Sequence, residues 1–399
     1  MRILIIDEEF PFPLDTGKKI RSYNLAKALS SRHHITYLAY GENNSIASDF
    51  LLSNGIEPAA VRPHGRKKKG WAFLFRLIFN LFSRYPYIVT SHFTAMYRDK
   101  LNILAASGDY DIIICEWTPY AIYIKNIVNT KKIIVAHNIE SQIWKRYEAN
   151  ETNWAKKMYI THQRIKVENF EQICFSWADG ATAVSESEKD FINRLPINYR
   201  AEVIDNGVDT GYFKPAKSET ESRMVVFTGS MDWRPNQDAA VFFVNEILPR
   251  VKSRIPEITA YFVGRNPPQH IKALEKAGGV KITGTVDDVR PYIARAGLYI
   301  VPLRIGGGSR LKILEALAME KAVISTSVGA EGLKVTDGEN IIIADGPESF
   351  AGAIIENLKN DEYCRQIGRA GKKLVEIHYR WESLGMKLNA YIEKIISKK

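Results

Sequence analysis

The amino-acid sequence predicts an α/β protein made of two doubly wound parallel-sheet domains that face each other across a cleft. Three observations carry this expectation. Short apolar runs alternate with longer helical patterns from one end of the chain to the other, as in parallel α/β sheets. The runs are nearly continuous in hydrophobic residues, the pattern of strands covered on both faces. Midway lies VIDNGVDTGYFKPAKSETES, rich in Gly, Asp, Asn and Ser, which reads as a linker.

Taken in order, the first half places strands at 2–6, 35–39, 111–115, 132–136 and 180–184. The second half repeats the theme at 224–228, 259–263, 281–283, 298–301, 322–325 and 341–343. The first domain would span 1–205 and the second 206–377, followed by a helical 378–399 that can pack back on the first. No repeat of solenoid length is visible. At 399 residues and 45% apolar content, the chain has the length for two or three ordinary domains with real cores.

Basic residues outnumber acidic ones by 55 to 45, a net charge of +10. That excess favours an anionic partner: nucleic acid, a phosphorylated substrate or an acidic membrane surface. No recognition motif supports nucleic acid, so none is expected. Cys115, Cys174 and Cys364 have no close spacing. They make neither a disulfide framework nor a zinc site, and read as small buried hydrophobes in a reducing compartment. The start, MRILIIDEEF, has too short an apolar run for a signal peptide and reads as a first strand. No stretch approaches the roughly 20 apolar residues of a membrane-spanning helix. The expectation is a soluble cytoplasmic chain, at most peripheral at the inner face of the cell membrane.

One segment departs from the α/β pattern. GRKKKGWAFLFRLIFNLFSRYPY begins with the basic run Arg66 to Lys69 and continues aromatic and aliphatic from Trp71 to Phe82. Helical projection does not divide it cleanly into polar and apolar faces. A basic flank with Trp and Phe is the composition of an interfacial membrane helix, which would bring 66–87 to an anionic membrane. A helix packed on the core of its own domain is the equal alternative.

The most informative stretch is VPLRIGGGSRLKILEALAMEKAVISTSVGAEGL. A strand ends near Val301, the glycines Gly306, Gly307 and Gly308 follow, and Ser309 is placed to cap a helix running to about Met319. Glycines let backbone approach a ligand, and a helix N-terminus offers free N–H groups and a positive dipole end. At about 100° per residue, Leu311, Leu314, Leu317 and Ala318 share an apolar arc, with Lys312 and Glu315 together on the opposite face. Arg310 lies in the first turn. Two cations at a helix N-terminus oppose the macrodipole, and a bound phosphate would offset that repulsion. The set suits a diphosphate joined to a vicinal diol, with cations for the phosphates and Glu315 for the ribose. The plainer alternative is an amphipathic helix with a solvated Lys–Glu pair.

This stretch resembles the donor-site signature of glycosyltransferase family four, retaining enzymes of the GT-B fold with two Rossmann-like domains. The likeness extends over most of the chain through HNIESQIWKRY, ADGATAVSESEKDF, VIDNGVD, FTGSMDWRPNQDA, FVGRNPP and ITGTVDDVRPYIARAGLYIVPL. Their order and spacing together are specific, and the best match is a bacterial branch serving surface-polysaccharide assembly. The resemblance implies that Arg310 and Lys312 hold the donor diphosphate and Glu315 the ribose. It implies that the loop 284–290, with Val286 and Val289, passes the nucleobase, and that Gly229 lies by the phosphates. Gly17 would face donor phosphates and acceptor from the first domain. His137, after the strand 132–136, would lie near the reacting carbon, at the strand edge where open α/β sheets bind ligands. No cofactor beyond the nucleotide-sugar co-substrate is implied, and the acceptor would be a glycan or lipid-linked glycan.

Two departures from the family pattern stand out. The family has a pair of glutamates separated by seven residues; the second is Glu315, and Gly307 occupies the place of the first. The Arg and Lys usual after the phosphate-side glycine are here Ser230 and Asn236. Backbone N–H groups of 306–308 would then read the sugar, and the diphosphate would fall to Arg310 and Lys312. Glu331, in GAEGL, reads as a cap of the next element with a ligand role as the alternative. Asp287 and Asp288 read as a helix N-cap pair, and no metal is expected. Front-face transfer with retention would let the departing diphosphate take the acceptor proton, with no protein nucleophile. A nucleotide-sugar epimerase of the same architecture and a non-catalytic nucleotide- or glycan-binding protein are the alternatives. A nicotinamide dehydrogenase is disfavoured because no strand leads into G-x-G-x-x-G.

Overall fold

A computed structural model of the chain describes residues 1–62, 70–216, 220–305 and 310–397. The chain forms two compact units, one of Met1–Asp205 with Leu384–Lys399 and the other of Asn206–Ser383.

The first unit is built on seven strands: β1 (Arg2–Glu9), β2 (His34–Tyr40), β3 (Ile56–Val61), β4 (Ile112–Cys115), β5 (Lys131–Ala136), β6 (Gly180–Ala183) and β7 (Glu202–Val203). They lie in the order β3-β2-β1-β4-β5-β6-β7, every pair parallel. Ile3 is paired with Ile35 on one side and Ile112 on the other, and the apolar run Ile3 to Ile6 is wholly buried. Continuous hydrophobicity therefore has the cause expected of it: both faces of the sheet are covered.

Two strands were not expected. In β3 the run IEPAAV carries Pro58, which lacks an N–H and argues against a strand; at the sheet edge the missing donor costs nothing. The two-residue β7 ends inside the stretch read as a linker, and the next strand begins in its last two residues, so the connection between the sheets is shorter than predicted.

The second unit carries β8 (Glu221–Thr228), β9 (Thr259–Val263), β10 (Val280–Gly284), β11 (Ala296–Val301), β12 (Val323–Ser325) and β13 (Ile342–Ile343). Their order is β10-β9-β8-β11-β12-β13, again all parallel. Both units are thus Rossmann-like doubly wound α/β domains. In each, the winding reverses beside its first strand, between β1 and β4 and between β8 and β11. Open α/β sheets take ligands beyond the carboxyl ends of such strands.

The last helix, Trp381–Ser397, returns to the first unit. Its Tyr391 hydroxyl donates to the Arg200 carbonyl (2.9 Å) and accepts the Ala181 N–H (3.1 Å), and Ile395 fills the space a side chain on Gly180 would need. The segment after the basic run forms the helix Trp71–Leu81. Among the described residues no helix is long and apolar enough to cross a membrane.

Candidate active site

At the reversal point of the second sheet, Gly229 follows β8 with φ 150°. A Cβ there would stand 2.7 Å from Lys312 Nζ and 2.8 Å from Asn236 Nδ2, so a side chain at this position would push the ammonium aside. The Gly229 N–H donates to the Val263 carbonyl at 2.9 Å, and a Cβ on Gly264 would overlap the Gly229 carbonyl. Gly264→Ala is therefore expected to displace the Gly229 turn, costing about 1–3 kcal/mol as other overpacked sites do. A melting curve checks this: a temperature equal to the native one would show that the turn is not locked as described.

The helix Leu311–Ala318 connects β11 to β12 and buries Ile313, Leu314, Ala316, Leu317 and Ala318. Its start differs from the sequence expectation. Arg310 holds the cap position in the left-handed region (φ 53°, ψ 13°), and its own side chain makes no capping hydrogen bond. Ser309, the predicted cap, lies outside the described residues, as do Gly306, Gly307 and Gly308. A non-glycine residue in this conformation costs on the order of 1–3 kcal/mol, and such strain gathers at functional sites. The Arg310 guanidinium lies 3.2 Å from the Glu331 carboxylate and donates to the Glu331 carbonyl (3.3 Å). Glu331 thus meets Arg310 at the end of the short helix Ser327–Ala330 rather than capping a following one.

Lys312 and Glu315 are half-buried, not a solvated pair. The Lys312 ammonium donates to Asn236 Oδ1 at 2.7 Å and lies 3.9 Å from the centre of the Phe227 ring. Asn236 is held in turn, its Nδ2 donating to the Ser230 carbonyl (2.7 Å). Burial pushes the Lys312 amine down to about 7, with Arg310 adding to the effect and Glu315 opposing it. Burial likewise raises the Glu315 carboxyl to about 7 against the pull of Lys312. Among the described residues nothing hydrogen-bonds the Glu315 carboxylate, which leaves it available to a ligand's hydroxyls.

These shifts give a signed expectation. An anion at Lys312 favours the protonated amine, so binding takes up a proton once the pH exceeds about 7. Pyrophosphate affinity should weaken from pH 7 to 9 in the native chain relative to Lys312→Arg, whose guanidinium stays charged. Titration calorimetry at several pH values measures it, and parallel pH profiles for the two proteins would contradict it.

Further along the same sheet edge, Val286 and Val289 follow β10, half-buried against the core of the unit. β10 stands two strands from β8, a separation of roughly 10 Å. Asp288 accepts the Arg290 N–H (2.9 Å) in the first turn of Arg290–Arg295, and the Arg290 guanidinium stacks on Tyr212 at 3.7 Å. The cap position of that helix is Val289, with no side-chain cap, so neither Asp287 nor Asp288 is the N-cap expected of the pair.

In the first unit the reversal point gathers a second polar group. Gly17 opens the helix Gly17–Ser30 after β1, and Thr16 caps it. His137 follows β5, with Nε2 3.1 Å from Glu116 Oε2, and Glu116 follows β4 directly. Ser22 donates to the same oxygen at 2.8 Å. Burial would raise the Glu116 carboxyl, but His137, Ser22 and Arg21 outweigh it and hold it below the usual range. Beside them Lys18 Nζ lies 2.7 Å from Asp7 and 2.8 Å from Glu8. Sequence reasoning missed Glu116, although IIICEW announces it as HNIE announces His137: a polar residue just past a buried strand. It also missed that Asn236 grips Lys312. Among the described residues no cluster of His, Cys, Asp or Glu could hold a metal ion.

Comparison with known proteins agrees with the fold. Residues 17–212 match the family model described as Glycosyltransferase Family 4, and residues 222–360 match that of Glycosyl transferases group 1. The chain belongs to the family-four glycosyltransferases and has the GT-B fold. It is 23% identical to an uncharacterized 44.6 kDa protein in the cps region of Klebsiella pneumoniae, over 95% of this chain and 96% of that one. It is 27% identical to a GDP-mannose-dependent alpha-(1-6)-phosphatidylinositol monomannoside mannosyltransferase of Mycobacterium tuberculosis, over 48% of this chain and 55% of the other. Sucrose-phosphate synthase from Thermosynechococcus elongatus superposes on the whole chain with a TM-score of 0.73 at 16% identity.

Proposed function

We propose that this glycosyltransferase moves a hexose from a nucleotide sugar to a glycan or lipid-linked glycan with retention of configuration, in surface-polysaccharide synthesis. The observation that carries the reading is the half-buried Lys312, held by Asn236 against Gly229 at the strand-reversal point. Lys312 and Arg310 would bind the donor diphosphate and stabilise its charge as the glycosidic bond breaks. Glu315 would take the ribose hydroxyls, and the loop of Val286 and Val289 the base. A diphosphate oxygen would accept the proton of the acceptor hydroxyl as that oxygen bonds to the anomeric carbon. His137, oriented by Glu116, would lie near the reacting carbon, and Gly17 near the phosphates. The reading needs no metal.

The relatives support the reading at a distance. One stands in a cps region, and another uses GDP-mannose and a phosphatidylinositol mannoside. A lipid-linked acceptor would bring the chain to the inner face of the cell membrane, with 66–87 as the contact. Incubation with UDP-, GDP- and dTDP-hexoses and a lipid extract tests the proposal by following nucleoside diphosphate release. The expected result is release from one donor class, dependent on acceptor, with an α-linked product from an α-linked donor by NMR. Donor conversion without acceptor would instead indicate an epimerase.

A further inference from the structure

The helix Trp71–Leu81 carries apolar residues on both faces, with Arg76 and Asn80 its polar ones, so its sequence shows no clean division of faces, yet only one face is covered. Asn80 is buried, its Nδ2 donating to the Tyr85 carbonyl (3.1 Å) and to Thr90 (2.9 Å), while Phe73 meets Tyr87 edge-on at 6.0 Å. The opposite face presents Trp71, Leu74, Phe75, Ile78 and Phe79, continued by Phe82, all exposed; Trp71 is 79% and Phe82 86% accessible. Their spacing of three and four residues makes this one continuous apolar stripe.

A second helix lies against it. Lys166, in the helix Trp154–Cys174, donates to the Asn80 (2.6 Å) and Leu81 (3.0 Å) carbonyls, capping the C-terminus of the first helix with a cation. Gln163 donates to Asn80 Oδ1 (2.9 Å) and accepts the Tyr87 N–H (2.8 Å). Roughly one and a half to two and a half turns before Gln163, this second helix exposes Met158 and Trp154 (74%), with Ile165 further along. Fully exposed tryptophans on two neighbouring helices are costly in water and need a partner.

The charge around this surface identifies the partner. In the sequence no Asp or Glu occurs between Glu57 and Asp99, a span that holds Arg62, Arg66, Lys67, Lys68, Lys69, Arg76, Arg84 and Arg98; Arg66 to Lys69 lie outside the described residues, and Arg98 pairs with Asp99 at 2.8 Å. On the second helix and the one before it, Glu148 and Glu168 are both engaged by Arg164 (2.5 and 2.7 Å). Lys145, Lys156 and Lys157 stay exposed, with no carboxylate within 4 Å among the described residues. Exposed aromatic side chains beside the exposed Lys156 and Lys157 match a bilayer whose headgroups are negative.

We infer that the stripe of Trp71–Leu81 and the first turns of Trp154–Cys174 together form a docking surface for an anionic lipid bilayer. This deepens the membrane contact of the proposed function by adding the second helix, and its test involves no catalysis, so the two readings fail separately. Co-sedimentation with phosphatidylglycerol–phosphatidylcholine vesicles, against pure phosphatidylcholine, measures it. The full chain should bind the anionic vesicles and release at high salt. Trp71→Ser/Phe75→Ser/Phe79→Ser should lower the bound fraction by about tenfold, and Trp154→Ser/Met158→Ser by less. These side chains are solvent-exposed, so both variants should melt as the native chain does, which a thermal scan verifies. A native chain left in the supernatant, or a triple variant bound as strongly, would overturn the inference. So would a dimer that the triple variant breaks in the absence of vesicle binding, since the surface would then serve a second copy.

Discussion

Lys312→Met is expected to lower turnover by about 10²–10³-fold, the cost of removing one preorganised donor from a developing oxyanion. Methionine keeps the apolar stem over Phe227 and removes only the charge and its hydrogen bond to Asn236. Stability should not suffer. A lysine whose amine is pushed down to about 7 imposes its charge-burial penalty fully below that pH, and relief comes as pH rises from about 7 toward the unfolded value. At neutral pH or below, the variant should therefore melt at or above the native temperature. Steady-state kinetics and a melting curve together decide it: near-native turnover would remove Lys312 from the chemistry, and a large fall in melting temperature would make it a structural residue.

His137→Ala is the second large effect expected, a fall of about 10²-fold in turnover with the nucleotide response of the second unit retained. The ring is nearly covered and is fixed by Glu116, which is itself held by Ser22. Glu116→Gln keeps the shape but weakens the hold on His137, so its loss should be smaller. The two changes should combine less than additively, because Glu116 acts through His137. Additive losses would mean that the two side chains act independently and that Glu116 does not position His137.

Most of the architecture was legible because buried parallel strands leave an unmistakable trace. The runs RILII, TAYFV and LYIV each form an interior strand, with Ile3 to Ile6 and Leu298 to Val301 fully buried and Tyr261 half-buried. Pro58 hid β3, since its cost depends on an edge position that no local pattern reveals. The candidate donor site could be proposed from glycines, cations and a carboxylate around one helix start. Its electrostatics were not legible, because spacing put Lys312 and Glu315 on a polar face, whereas the end of β8 and Phe227 close over that face. The capping expectation for Ser309 gave way to a left-handed Arg310, whose guanidinium rests on Glu331, twenty-one residues further on. Glu116 was hidden because its contact with His137 forms only where β4 and β5 lie side by side.

The measurement that bears hardest on the donor site is a thermal-shift panel of UDP, GDP, dTDP, CMP and NAD on the native chain and on Arg310→Ala/Lys312→Met. A nucleoside diphosphate at 100 times its dissociation constant should add about 2.7 kcal/mol. The expected result is a rise in melting temperature with one nucleoside diphosphate, absent from the double variant and not reproduced by NAD. An equal rise in both proteins would contradict the placement of the diphosphate at Arg310 and Lys312, and a rise with NAD alone would contradict the donor reading of the second unit.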